Sequence, residues 1–200
     1  MKKEQTPSEE INKEAILEIL KKYFTGKGRL LEIGSGTGQN ILYFAQHFKL
    51  IQWIASDIPD NHKRMEQSFK EAKLKNVHGP EVLEIGIDDF PKGIFNYAFT
   101  ANTLHIMSWK ENKTLFKLLG KRLREGSLVF FYGPFNYNQK FTSTSNEELD
   151  KWIRDKDAKS GIRNFEDIKQ KMEKVGFKIL KDYDIDTNNK LIVFERLAFE

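Results

Sequence analysis

Three glycines at alternate positions, Gly34, Gly36 and Gly38, follow the acid Glu32, and a second acid, Asp57, closes the next apolar run. Glycines at such spacing let a backbone adopt positive φ and come within van der Waals distance of a ligand. A helix starting directly behind them leaves its first N–H groups free for an anion. Asp57 would then stand at the carboxyl end of a second strand, where one carboxylate can accept hydrogen bonds from both hydroxyls of a ribose. The chemistry written here is the holding of a nucleotide. Asp57 has a plainer alternative as a helix cap ahead of Pro59, although Asp60 is better placed for that task.

The elements that must carry these residues are legible around them. Leu30, Leu31 and Ile33 form the short apolar run of a buried parallel strand, and Ile41, Leu42, Ala45 and Phe48 recur at helical spacing behind the loop. Residues 51–57 supply the second strand. A dinucleotide fingerprint requires glycines at its first, third and sixth positions. Counting from Gly34 the sixth position is Gln39, and counting from Gly36 it is Ile41. An NAD-binding oxidoreductase therefore stays only as an alternative.

Glu32 followed by Gly-x-Gly-x-Gly resembles the nucleotide-binding motif of class I S-adenosylmethionine-dependent methyltransferases. That resemblance implies a cofactor set of Glu32, Gly34, Ser35, Gly36, Thr37, Gly38, Asn40, Asp57 and Ile58. A third strand is expected around 82–85, with Glu84, Asp88 and Asp89 near its end. In methyltransferases an acid after this strand meets the adenine amino group; the three candidates stay open, and Glu84 joins the cofactor set, as does Asn102 further along the chain.

The chain has 200 residues, of which 39% are apolar, so it is expected to form one domain spanning 1–200 with a substantial core. Its formal net charge of +4 comes from lysines scattered along the chain, which read as a solvated surface rather than a nucleic-acid site. Cysteine is absent, which removes disulfides, cysteine-ligated zinc and methyl transfer to pyrimidine C5 through a cysteine nucleophile. No metal is expected. Without an apolar leader or a run of apolar residues long enough to span a bilayer, no membrane is expected as a partner, and the protein is expected in the cytoplasm.

In chain order, Thr6-Pro7-Ser8-Glu9 reads as a capping box opening a helical lead-in over 1–28, with Ile11, Ala15, Ile19 and Leu20 on its apolar face and the cofactor site beneath it. A helix is expected over 61–72 and a fourth strand over 95–101. The loop that follows carries Asn102 and His105 and should face the cofactor's reactive end, because the first and fourth strands flank the switch point of a doubly wound sheet. It lacks the Asn/Asp-Pro-Pro-Tyr run expected of enzymes that methylate exocyclic amines of DNA bases. Ser108-Trp109-Lys110-Glu111 is a second capping box, followed by Leu115, Leu118, Leu119 and Leu123 on a buried face. A fifth strand covers 128–132.

The long connection 133–163 reads as a lid or substrate-binding insertion, with Ser145 capping a short helix inside it. Asn164 caps a further helix stopped by Gly176, and 177–184 and 191–194 form a closing hairpin turned at Asn188-Asn189.

Asn102, His105, Trp109, Tyr132-Gly133-Pro134-Phe135, Thr142-Ser143, Ser145-Asn146, Arg154, Asp157, Gly161-Ile162-Arg163 and Asn188-Asn189 together resemble the methyltransferase-like family that includes methyltransferase-like protein 26. Ser160 stands where that family has tryptophan, Met107-Ser108 replaces Ser-Pro, and Asp186 replaces proline.

The expected fold is α/β: a Rossmann-like, mostly parallel seven-stranded sheet with a C-terminal antiparallel hairpin and helices on both faces. The expected activity is methyl transfer from S-adenosylmethionine to a small polar acceptor, with a non-catalytic S-adenosylmethionine-binding module as an alternative. The sulfonium is already activated, so the protein must align the acceptor and remove a proton where that acceptor is neutral. Asn102, His105, Tyr132 and Arg163 are the catalytic candidates. His105 alone has an unperturbed pKa suited to a base near neutrality, against a structural role bonded to backbone. Arg163 could grip an acidic group on the acceptor, against a role anchoring the lid.

Overall fold

The computed structural model describes residues 7–198, with side chains from residue 12 onward. The chain runs α1 (Pro7–Leu20), β1 (Gly28–Ile33), α2 (Gln39–Ala45), β2 (Ile51–Asp57), α3 (Pro59–Ala72), β3 (Val77–Val82), β4 (Tyr97–Ala101), α4 (Trp109–Arg122), β5 (Leu128–Gly133), β6 (Phe135–Asn136), α5 (Thr144–Lys156), β7 (Arg163–Asn164), α6 (Phe165–Lys174), β8 (Phe177–Asp184) and β9 (Lys190–Arg196). Seven strands form one sheet in the order β3-β2-β1-β4-β5-β9-β8, and β6 pairs with β7 outside it. Strands β1 to β5 pair in parallel, while β9 runs antiparallel to both β5 and β8.

Alternation along the central strands divides the core between the two faces. Leu31, Ile33, Val129 and Phe131 meet Leu115, Phe116 and Leu119 of α4 and Ile168 and Met172 of α6. Leu30, Trp53, Phe99 and Phe130 meet Ile16 and Leu20 of α1, Ile41 and Phe44 of α2 and Met65 of α3. Because both faces are covered, the inner strands read as nearly unbroken apolar runs. The order reverses between β1 and β4, and a crevice opens beyond their carboxyl ends, where such sheets bind ligands.

Several local expectations shift. The third strand lies at Val77–Val82 rather than 82–85. Its Gly79-Pro80 falls at the break in register between Ile54 and Ser56 of β2, on the edge strand of the sheet, both places that accept proline. Leu83 and Ile85 are buried, but they enter the core from the loop beyond that strand. Helix α5 is capped by Ser143, whose hydroxyl accepts the Asn146 N–H, and not by Ser145. Asn164 stands at the N-cap of α6 without a capping side-chain bond; its Oδ1 instead accepts from the Gln139 N–H. Helix α3 begins at Pro59 with Ile58 at its N-cap, so Asp60 lies within the first turn.

Other expectations hold. The Ser108 capping box is present with both of its reciprocal bonds to Glu111. In α1, Ile19 and Leu20 are buried as expected, and Ile16 and Leu17 join them. The capping box at Thr6 and the side chain of Ile11 lie outside the described residues.

Candidate functional site

The loop after β1 is fastened to the end of β2 from below. The N–H groups of Gly34 and Ser35 both donate to the Ser56 carbonyl, at 2.9 and 3.0 Å. A Cβ on Gly34 would sit 2.7 Å from Thr103 Oγ1, so no other residue lets the loop after β4 approach so closely. Gly36 has φ +58 and nothing within 4 Å of its missing Cβ, because it opens onto the crevice.

Asp57 meets this loop from the side. Its Oδ2 accepts the Gly36 N–H at 2.6 Å, and its Oδ1 accepts from the Ile58 N–H at 2.7 Å and from the Asn61 amide at 3.0 Å. A carboxylate offers about four acceptor positions. Three are taken, and Asp57 still lines the crevice.

The crevice has two halves. One, of about 520 Å³, is lined by Asp57, Ile58, Glu84, Ile85, Ile106 and Met107. Ile58 is 39% exposed and Ile106 is 53% exposed, apolar surface suited to a flat ring. The other half, of about 500 Å³, is lined by Asn12 and Lys13 of α1, Tyr132 of β5, and Asp186, Asn188 and Asn189 of the turn between β8 and β9, with Thr37 and Asn40 at the foot of α2. Gly34, Gly36, Ala101 and Asn102 belong to both.

Asn102 sits at the junction with φ +55, and its N–H donates to the Tyr132 carbonyl at 2.9 Å. The Tyr132 hydroxyl accepts from the Asn12 amide at 2.8 Å, and Asn12 also hydrogen-bonds the Asp186 carboxylate. Asp186 Oδ1 in turn accepts the N–H groups of Asn188 and Asn189, which holds the turn against the crevice.

Of the three acids after the third strand, only Glu84 lines the crevice; Asp88 folds back to accept the Glu84 N–H at 2.7 Å. Glu32 lies one layer below the glycine loop and is 1% exposed. Its Oε2 is buried with no hydrogen-bond partner, and burial pushes its carboxyl up to about 8.

Asn102 and Tyr132 are thus brought to the crevice, and the other two catalytic candidates stand away from it. The Arg163 guanidinium donates to the carbonyls of Leu104, Met107 and Lys159. His105 is buried, its carbonyl accepts the Gly161 N–H at 2.8 Å, and burial followed by the Arg163 charge holds its imidazole down to about 4. For both residues the geometry agrees with the structural alternative: Arg163 anchors the insertion to carbonyls of the loop after β4 and of its own segment, and His105 is packed beneath it.

Sequence reasoning did not count Asn12, Lys13, Asp186, Asn188 and Asn189 as site residues. They come from the two ends of the chain, and only the sheet topology brings them together. Among the described residues, no group of three or more His, Asp or Glu side chains could hold a metal ion.

This sheet order and crevice define the Rossmann-like methyltransferase fold, and solved structures share it. An S-adenosylmethionine-dependent methyltransferase, SibL, in its apo form matches with a TM-score of 0.75 at 20% identity, over 92% of this chain and 55% of that one. Human N-acetylserotonin methyltransferase in complex with S-adenosylmethionine matches with a TM-score of 0.75 at 12% identity, over 94% and 52%. A sarcosine dimethylglycine methyltransferase, so described provisionally, from Galdieria sulphuraria matches with a TM-score of 0.74 at 9% identity, over 93% and 85%. The chain spans about half the length of the first two.

Residues 3–196 match the family described as "Protein of unknown function (DUF938)", and the chain belongs to that family.

Proposed function

We propose that this protein is an S-adenosylmethionine-dependent methyltransferase acting on a small polar acceptor. The observation that carries the reading is the two-part crevice over the glycine loop. One half pairs Asp57 with exposed isoleucines, as an adenosine requires, and the other is walled by amides and hydroxyls. Gly36 leaves space above the loop, and Asp57 keeps an acceptor position for a ribose hydroxyl. When bound, the cofactor would supply a methyl group already activated on sulfur. Gly34, Ser35, Gly36, Thr37, Asn40, Asp57, Ile58, Glu84 and Asn102 line the crevice and would hold it, while Glu32 lies beneath the loop and Gly38 packs behind it against Phe69 and Met65.

The chain's own part is to orient and to exclude water. Tyr132 and Asn102 flank the place where the two halves meet, so they are the side chains we assign to the acceptor. Such an acceptor is compact and rich in hydrogen-bonding groups, since Ile16 and Ala101 are the apolar side chains in that half. Arg163 no longer serves an acidic acceptor in this reading, because its donors already serve carbonyls. No helix among the described residues is long and apolar enough to cross a membrane. With the cysteine-free composition, we place the protein in the cytoplasm. The resemblance to the family of methyltransferase-like protein 26 supports the same donor.

A second reading has its own observation. His105 is sealed from the crevice, which leaves none of the candidates there with an unperturbed pKa near neutrality, and this favours a module that binds the cofactor without turnover. Mass spectrometry of ligands released from purified protein, followed by isotope-labelled methyl transfer into a metabolite extract, separates the two. Cofactor bound with label transferred supports the enzyme; cofactor bound with no label transferred supports the module; NAD in place of either overturns both.

A further inference from the structure

Glu32 is the one side chain of the glycine-loop unit that carries an acid into the core. In register it lies between Ala55 of β2 and Phe99 of β4, on the same face of the sheet as α1, α2 and the polar half of the crevice. Its Oε2 is fully covered and has no hydrogen-bond donor. An ionised carboxylate with a fully buried, unpaired oxygen is costly, so such a group takes up a proton instead.

The neighbouring groups act in both directions. Asp57 from β2 contributes a like charge that opposes ionisation. The Ser35 side chain works the other way, hydrogen-bonding the carboxyl and favouring its ionised form, but burial outweighs it, and the Ser56 hydroxyl is spent on the Glu32 backbone carbonyl. Lys13 of α1, Tyr132 of β5 and Asp186 of the hairpin turn stand around the cavity above, while α2 brings only uncharged side chains to it.

We propose that Glu32 is a neutral carboxylic acid in the free protein and releases its proton to solvent when the ammonium-bearing amino-acid part of a ligand settles over the glycine loop. This rests on the donor proposed above and deepens it: binding at this crevice is proton-linked, and the ligand class that triggers it is an adenosine carrying an amino-acid tail whose ammonium end faces the glycine loop. The balance is simple. One O–H bond of Glu32 breaks, the proton passes to buffer, and the carboxylate left behind is stabilised by the ammonium of the tail, while the tail's own carboxylate must find its partners elsewhere in the crevice.

The test is calorimetry of S-adenosylhomocysteine binding near pH 7 in buffers of different ionisation heat, with adenosine as the control. The expected result is release of about one proton per site with S-adenosylhomocysteine and none with adenosine, which lacks the tail. Affinity for S-adenosylhomocysteine should rise about tenfold per pH unit on the acid side of neutrality and level off in mild alkali. Glu32→Gln should bind without proton release and without that pH dependence.

A heat that is independent of buffer, or proton release that persists in Glu32→Gln, overturns the proposal while leaving the donor assignment standing. If S-adenosylhomocysteine does not bind at all, the donor assignment itself fails, and this inference with it. Should Glu32→Gln not fold, difference infrared spectroscopy of the wild type decides. Loss of a protonated-carboxyl C=O band on ligand addition supports the proposal, and an unchanged band overturns it.

Discussion

Asp57 Oδ2 lies 2.6 Å from the Gly36 nitrogen and accepts its N–H, so the acid that ends β2 and the middle glycine of the loop after β1 form one hydrogen-bonded unit. A ligand touching either residue is therefore held by both strands.

The first prediction follows from that bond. Asp57→Ala removes an acceptor from three protein donors as well as from the ligand, and loss of charge-assisted hydrogen bonds costs about 1.5–3 kcal/mol. Affinity for S-adenosylhomocysteine should fall roughly ten- to a hundredfold by calorimetry. Asp57→Asn, which keeps one oxygen, should lose less. Unchanged affinity in the alanine variant would show that the ribose is held elsewhere.

The glycines should separate folding from binding. Gly34→Ala forces a methyl against Thr103 and should lower the melting temperature clearly. Gly36→Ala meets no atom, so its stability cost should be limited to the left-handed backbone, about 1–2 kcal/mol. Its methyl would nevertheless occupy the crevice and weaken ligand binding. Thermal melts beside calorimetry distinguish the two patterns, and equal melts with equal affinities would contradict the geometry.

Arg163→Lys should act on the cofactor side. Lysine keeps the charge but cannot reach three carbonyls at once, and a buried carbonyl left unpaired costs roughly 1–3 kcal/mol. The loop carrying Thr103, Ile106 and Met107 should loosen, so chemical denaturation should show lost stability and calorimetry should show weaker S-adenosylhomocysteine binding. If stability and cofactor affinity both stay at wild-type values, the three bonds contribute nothing, and an acceptor-gripping role for Arg163 returns.

Two buried groups should shape stability against pH in opposite directions. His105 is held down to about 4, below its ordinary 6.5, so the unfolded chain binds more protons between these values. The stability tied to neutral His105 is whole above pH 6.5 and lost as pH falls toward 4, by about 3 kcal/mol at most. Glu32 is raised to about 8 from 4.5, so its contribution is whole at low pH and lost as pH rises through 8. Between pH 4.5 and 6.5 the two slopes oppose each other, so urea titrations should show His105→Gln uncovering a decline of stability with rising pH in that window, and Glu32→Gln flattening the decline between pH 6.5 and 8.

What could be read from the sequence was what local chemistry decides. The glycine spacing, Asp57 at a strand end, the Ser108-to-Glu111 capping box and the Asn188-Asn189 turn each announce themselves within a few residues. The third strand was misplaced because Leu83 and Ile85 signal burial, and burial is not the same as strand. Arg163 and His105 were read for the chemistry of their side chains. Their surroundings depend on how the loop 104–107 and the end of the insertion, more than 50 residues further on, meet, a long-range relation that no spacing rule records.

The stretch 133–163 touches the crevice at both ends. Ser143 and Asn146 bond Asn188 at the polar half, while Ser160, Gly161 and Arg163 take the carbonyls of Ile106, His105, Leu104 and Met107 at the other. Asp150 ties α5, which is capped by Ser143 at the first end, to the second end, since its Oδ1 accepts the Ile162 N–H. In hydrogen exchange the amides of Asn146, Gly161 and Ile162 should therefore open in one concerted event rather than by separate fraying, and a single slow rate would be shared by segments that lie on opposite sides of the crevice.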